Sequence, residues 1–139
     1  MTETYLLDTS AVVELLRNRP KVIEWLRSIP SDSILAISGW TVIELLKEKK
    51  GKYGMNEVVA KLQQYQTVWP NPEICNEIFG LLINKYHSER SKTDGKLSGN
   101  AIFDSMIYLT TKSYNFTLVT MDSGFDSFED IKVKKLKSS

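Results

Sequence analysis

Four carboxylates interrupt or end apolar stretches of this sequence, whereas most of its 17 acidic residues have polar neighbours. They are Asp8 at the end of YLL, Glu44 within WTVIELL, Asp104 within AIFDSMIYL, and Asp122 two residues after FTLVT. Burying a carboxylate without a cation or hydrogen-bond donors costs several kcal/mol or more. These four positions therefore predict a site where acidic groups meet a cation.

Simpler roles are open for two of the four. Asp8 after a strand is typical of a helix N-cap, and Asp122 before Gly124 is typical of a turn. Glu44 and Asp104 lie within helical patterns among apolar neighbours, where a carboxylate needs a partner. The combination of the four, rather than any one of them, predicts a shared site.

The composition leaves carboxylates as the side chains on which any catalytic chemistry must rest. Cys75 and His87 are each alone, which excludes an internal disulfide, a cysteine zinc site and histidine relays. The 18 basic residues nearly balance the acids, and a net charge of +1 argues against a strongly electrostatic nucleic-acid or membrane binder, though not against a local basic patch. No apolar run approaches about 20 residues and no signal peptide is recognisable, so we expect a cytoplasmic protein.

Short apolar runs alternate with amphipathic segments along the chain. This pattern predicts an α/β fold in one domain, residues 1–139, with a mostly parallel sheet covered by helices on both faces. The expected strands are 5–7, 33–37, 67–69, 116–120 and 131–136. The expected helices are one from a Thr9 or Ser10 cap to Arg17, then 20–30, 39–51, 56–65, a long one after Pro70 and Pro72 through Leu82, and 100–113.

This topology brings the four carboxylates together, because parallel strands end at one edge of a sheet. Asp8 and Asp122 follow two strands, Glu44 lies early in the helix that leaves the second strand, and Asp104 lies in the first half of the helix before FTLVT. Four clustered carboxylates repel one another without a cation, and oxygen ligands suit Mg²⁺ or Mn²⁺. The sequence therefore predicts metal-assisted water activation and phosphodiester cleavage.

At these residues the sequence resembles the PIN-domain ribonucleases, and within them the VapC toxins of type II toxin–antitoxin pairs. The resemblance runs from residue 5 to about 125 and follows four motifs in order: YLLDTSAVVELL, SGWTVIELL, NAIFDSMIYLTT and FTLVTMDSGF. In the last of them, Thr120, Asp122 and Phe125 fit a T-x-D-x-x-F pattern. Ser10 stands at the position of a hydroxyl that often supports the metal.

The resemblance implies a PIN-like parallel sheet of four or five strands and an Mg²⁺- or Mn²⁺-dependent endoribonuclease. It also implies a homodimer, a cognate antitoxin and a structured RNA substrate such as tRNA or rRNA. Asp8, Asp104 and Asp122 would bind the metal directly or through water, and Glu44 would complete the cluster or orient the attacking water. All four acids are thus candidates both as metal ligands and as catalytic residues.

Several points stay open at this stage. Asn100 stands where many relatives carry another acid, which leaves the number of metal ions open, and Asp126 is an alternative to Asp122 as the fourth ligand. Glu14 is expected to face solvent or to pair with Arg17. Two groups of basic residues are candidates for holding the RNA backbone, and solvated surface charge is the alternative explanation for them. They are Lys47, Lys49, Lys50 and Lys52, or Arg90, Lys92 and Lys96.

Other functions compete with a toxin nuclease. A housekeeping RNA-processing PIN nuclease would use the same acids, and a non-catalytic PIN-like module would bind RNA or a partner without cutting. An aspartate-nucleophile phosphotransferase of the haloacid-dehalogenase kind needs a second Asp two residues after Asp8, where this chain has Ser10. Trp25, Trp40 and Trp69 are expected in the core or at a dimer contact.

Overall fold

The fold contains a five-stranded parallel sheet. The structure is a computed structural model that describes residues 2–47, 55–85, 99–126 and 128–137. The strands are β1 (Thr4–Leu7), β2 (Ile34–Ser38), β3 (Gln66–Val68), β4 (Thr117–Thr120) and β5 (Lys132–Lys135). Their order in the sheet is β3-β2-β1-β4-β5. The predicted α/β class and parallel sheet are therefore confirmed.

Helices connect the strands and cover the sheet. They are α1 (Thr9–Leu16), α2 (Pro20–Ser28), α3 (Gly39–Lys47), α4 (Met55–Leu62), α5 (Pro72–Cys75), α6 (Ile78–Gly80), a π-helical segment (Leu81–Lys85), α7 (Gly99–Tyr114) and a 3₁₀ turn (Ser123–Phe125). Within the described ranges, no helix is long and apolar enough to span a membrane.

The two faces of the sheet pack into two separate hydrophobic clusters. Leu7, Ile37 and Val119 point to the cluster formed with α1 and α2. Their neighbours in the three central strands point to the opposite cluster, which includes α7. Since successive side chains of a strand alternate between faces, burial on both sides requires continuous apolar runs, as in YLL and TLV.

Two local predictions were wrong. The N-cap of α1 is Asp8, whose side chain accepts a hydrogen bond from the Ala11 backbone, and not Thr9 or Ser10. The long helix expected after Pro72 is broken into α5, α6 and the π-helical segment. Asn76 and Glu77 donate their backbone hydrogen bonds to carbonyls three residues back, which interrupts the α-helical pattern, and Gly80 further weakens helix formation.

Candidate active site

Asp8 lies between β1 and α1. It therefore lies at the carboxyl edge of the sheet and is also the N-cap of the helix. Its Oδ1 accepts hydrogen bonds from the Ala11 backbone at 2.9 Å and from the Ser10 hydroxyl at 2.7 Å. Its own backbone N–H donates to the Val119 carbonyl at 3.0 Å. The side chain is only 3% exposed, so its position is set from every side.

The hydroxyl of Thr120, at the end of β4, connects two of the predicted acids. It donates to Asp8 Oδ2 at 2.5 Å and accepts from the Asp122 backbone N–H at 3.1 Å. Ser10 adds a second link, because its hydroxyl oxygen accepts from the Met121 backbone at 3.0 Å. Buried hydroxyls therefore hold the ends of β1 and β4 in one arrangement.

The environment of Asp8 favours its neutral form in the absence of a cation. Burial raises the pKa of Asp8 above its ordinary value, and the negative charge of Asp122 raises it further. The hydrogen bonds from Thr120, Ser10 and Ala11 act in the opposite direction without cancelling the effect of burial. A positive charge placed here would remove this electrostatic penalty.

Glu44 is oriented from α1. The Thr9 hydroxyl donates to Glu44 Oε1 at 2.6 Å and lies 3.3 Å from the hydroxyl of Thr41, which is fully buried. Thr9, directly after Asp8, therefore positions the Glu44 carboxylate on α3. Nothing in the sequence indicates this role of Thr9, because Thr9 and Glu44 are 35 positions apart.

All four predicted carboxylates line one cleft of about 330 Å³ at the carboxyl edge of the sheet. The lining consists of Asp8, Thr9, Ser10, Val13, Glu14, Glu44, Asp104, Met121 and Asp122. The pairing of Glu14 with Arg17 was wrong, because its partner is Arg19 at 3.6 Å, and Glu14 also lines this cleft. Its spacing of four residues from Ser10, one helical turn, was the signal that could have placed it there.

Asp122 and Asp126 differ in where they lie. Asp122 is at the cleft, and its Oδ1 accepts from the Gly124 backbone at 2.7 Å, so it is also the turn residue of the simpler interpretation. Asp126 is exposed and outside the cleft lining, with its carboxylate 3.6 Å from the Lys135 ammonium. Of the two, the geometry favours Asp122 as a metal ligand.

The donor set fits a hard divalent cation by its chemistry. The cleft presents carboxylate and hydroxyl oxygens, which are the ligands that Mg²⁺ and Mn²⁺ prefer. In the four described ranges, no three acidic, histidine or cysteine groups lie close enough together to hold an ion. The structure therefore shows donors around a cleft and not a closed coordination sphere.

One predicted RNA-binding residue is described by the structure. The ammonium of Lys47, at the end of α3, lies 6.0 Å from the centre of the Phe103 ring, beside Asp104 in the chain. The other six basic candidates lie outside the described residues: Lys49, Lys50, Lys52, Arg90, Lys92 and Lys96.

The family of the chain follows from its sequence as a whole. The PIN-domain family model matches residues 5–131, so the chain belongs to the PIN-domain family. No curated protein matches it significantly.

Solved structures with the same fold come from toxin–antitoxin systems. VapBC-1 from nontypeable Haemophilus influenzae is 23% identical with a TM-score of 0.66, and the match covers 95% of this chain and 97% of the other. VapBC2 from Rickettsia felis, bound to a promoter DNA fragment, is 19% identical with a TM-score of 0.66 and coverage of 96% and 98%. VapC20 from Mycobacterium tuberculosis, a toxin that cleaves the sarcin–ricin loop, is 14% identical with a TM-score of 0.66 and coverage of 93% and 98%.

Membership of the PIN-domain family is thus confirmed, and the fold is the one seen in these solved toxin–antitoxin structures.

Proposed function

We propose that the protein is an Mg²⁺- or Mn²⁺-dependent endoribonuclease and the toxin of a toxin–antitoxin pair. The observation that carries the proposal is the cleft where Asp8, Glu44, Asp104 and Asp122 converge from four distant segments of a PIN domain. Such a concentration of negative charge, next to an Asp8 whose pKa is raised by burial, is unfavourable unless a cation is bound.

In the proposed mechanism, Asp8, Asp104 and Asp122 would hold the metal, directly or through water. When bound, a divalent ion would supply a lowered pKa for a water molecule and stabilisation of negative charge on the phosphate. Ser10 and Thr120 orient Asp8 by hydrogen bonding to both of its oxygens, and these bonds offset part of the effect of burial on its pKa. Glu44, oriented by Thr9, completes the cluster or accepts a proton from the attacking water.

The proposed partners are a cognate antitoxin and a second copy of the chain. The similar structures from H. influenzae and R. felis are VapBC toxin–antitoxin assemblies, which supports the first. The second copy is proposed from the resemblance to VapC toxins. Phe79 and Ile83, with 67% and 58% of their surfaces exposed, are apolar side chains that either partner would cover.

Cleavage of labelled RNA tests the nuclease activity. Total RNA and purified tRNA and rRNA are incubated with antitoxin-free protein in Mg²⁺, in Mn²⁺ and in EDTA. Asp104→Asn, purified identically, is expected to cut at least about a hundredfold more slowly, because it removes charge stabilisation at the cleft. Asp126→Asn is the matched control, since it removes an acid just outside the lining and should cut normally.

Discrete fragments that require the metal and Asp104 would support the endoribonuclease, and their ends would identify the RNA target. Equal cutting by wild type and Asp104→Asn would contradict the assignment of the cleft. A folded wild type that binds RNA without cutting would favour the non-catalytic module. Co-expression separates toxin from housekeeping enzyme: growth arrest relieved by the product of a neighbouring small gene is expected only for a toxin.

A further inference from the structure

Two lysines lie at the carboxyl end of β5 and just after it, next to the strand whose last residue, Thr120, contacts Asp8. Thr120 pairs with Lys135 in the sheet, and the Leu136 backbone N–H donates to the Thr120 carbonyl at 2.8 Å. Thr120 is the residue whose hydroxyl contacts Asp8. The backbone of Lys135 therefore lies one strand away from Thr120, at an interstrand spacing of about 4.8 Å. Lys137 follows two residues later, after the end of β5.

A buried anchor keeps these lysines at the surface. Leu136 is only 7% exposed and belongs to the same core cluster as Leu7. Its neighbours Lys135 and Lys137 are both exposed. The Lys135 ammonium lies 3.6 Å from Asp126, which directly follows the turn that Asp122 begins.

The carboxylates of the cleft repel a polyanionic substrate such as RNA, so its binding requires basic side chains nearby. Five carboxylates line the cleft, and the net charge of the chain is only +1, so attraction of a phosphate backbone depends on a local basic patch. The Lys135–Asp126 pair does not hold its ammonium tightly, because the two side chains are 42% and 56% exposed and such pairs contribute little. The ammonium is therefore free to contact a phosphate instead.

We infer that Lys135 and Lys137 form an RNA-backbone contact on the β5 side of the cleft, so that the RNA strand crosses the carboxyl edge of the sheet next to Asp122. The inference rests on the proposed function. It adds to it the surface, and the lysine–phosphate contact, that would position the RNA at the cleft. The sequence-based candidates for this contact lie in other segments of the chain.

Lysines on an edge strand also have a simpler explanation, since they prevent pairing with the edge strands of other molecules. That explanation applies equally to Lys132, at the other end of β5, which pairs with Glu3 at 3.8 Å. Protection of an edge strand gives no reason why Lys132 should differ from Lys135 and Lys137 in RNA binding. Comparing the RNA binding of variants with equal net charge therefore separates the two explanations.

Binding without cleavage provides the test. The probe is a fluorescein-labelled, unstructured RNA oligonucleotide, measured by anisotropy in EDTA over a salt series. Lys135→Gln/Lys137→Gln is expected to bind about tenfold more weakly, and the slope of log K against log salt should fall by about 1.4, as the loss of two phosphate contacts predicts. The matched control is Lys21→Gln/Lys132→Gln, which has the same net charge and should bind like wild type.

Equal weakening of both double variants, or no weakening of the first, would overturn the inference. A second measurement uses the unmodified protein: RNA should protect Lys135 and Lys137 from acetylation, read by mass spectrometry, and leave Lys132 reactive. Equal reactivity of the three with and without RNA would also overturn it.

The outcomes distinguish this inference from the proposed function. If wild type cleaves RNA and the Lys135→Gln/Lys137→Gln variant binds normally, the nuclease stands and the contact is wrong. If the lysines are required for binding but no metal yields cleavage, the contact stands and the nuclease assignment fails.

Discussion

Asp8 combines a structural and a chemical role in one side chain. As N-cap of α1 it satisfies the Ala11 N–H, and through Ser10 and Thr120 it joins the ends of β1 and β4. These bonds leave the carboxylate 3% exposed, with a raised pKa. The residue that is central to the proposed activity is therefore a cost to stability at neutral pH when no cation is bound.

Asp8→Asn is accordingly expected to abolish RNA cleavage and to raise the melting temperature in EDTA at neutral pH. Asn caps helices as well as Asp does, and it removes the buried charge. Because the folded-state pKa of Asp8 is raised, its stabilising contribution is complete below the unfolded pKa of about 3.9 and is lost as the pH rises through the folded pKa. The advantage of Asn should therefore grow from acidic to neutral pH.

Thermal melts of the two proteins across this pH range provide the measurement. The prediction would be contradicted if Asp8→Asn melted below wild type by the same amount at every pH. Such a result would mean that the variant loses hydrogen bonds and gains nothing from removal of the buried charge.

At the scale of elements, α3 is placed by a contact at its first residue. The Trp69 ring, after β3, lies directly over Gly39, where an added Cβ would come within 2.2 Å of Trp69 Cε2. Trp69 also packs edge-on against Trp40, with ring centres 6.3 Å apart. Trp69 is nevertheless half-exposed, so the expectation of a core position holds only for its packed side. Since α3 carries Glu44, this contact helps to set the position of a candidate catalytic group.

Gly39→Ala is expected to lower the free energy of unfolding by about 1–3 kcal/mol, because the new methyl displaces the Trp69 ring. In a Trp69→Ala background the clash is absent, and the same change should be neutral or stabilising by up to about 1 kcal/mol, since Ala favours helix over Gly. Urea unfolding of the four proteins measures both effects. A destabilisation of equal size in both backgrounds would contradict the proposed contact.

At the scale of the whole molecule, the cleft joins segments that are far apart in the chain. Its acids lie on α1, α3, α7 and the turn after β4, so a cation held between them would cross-link these elements. A ligand that binds only the folded state stabilises it by mass action. The effect is a direct measure of metal binding that does not depend on RNA cleavage.

Mn²⁺ at about 100 times its dissociation constant is expected to stabilise the wild type by about 2.7 kcal/mol. In a domain of this size, the melting temperature should rise by about 5–10 °C. Asp104→Asn should lose most of this rise, whereas Asp126→Asn should keep it, because Asp126 lies outside the cleft lining. A rise that is identical in wild type and Asp104→Asn would place the ion elsewhere.

The sequence by itself determined the class of fold and predicted that four acids meet at one edge of the sheet. Continuous apolar runs such as YLL and TLV require burial on both faces, and parallel strands must end at one edge, so Asp8 and Asp122 were assigned to that edge without coordinates. The embedded positions of Glu44 and Asp104 indicated the same site, because a carboxylate among apolar neighbours needs partners. These inferences depend on local patterns, which a single sequence contains.

Only the tertiary structure decided which hydroxyl groups hydrogen-bond to the acids of the cleft. Thr120 and Asp8 are 112 positions apart, and Thr9 and Glu44 are 35 apart, so strand register and helix packing bring them into contact. The same register places Lys135 beside the site. Asp122 and Asp126 have similar neighbours in the sequence, and only the turn between them directs one toward the cleft and the other toward a lysine, since side-chain direction depends on backbone geometry.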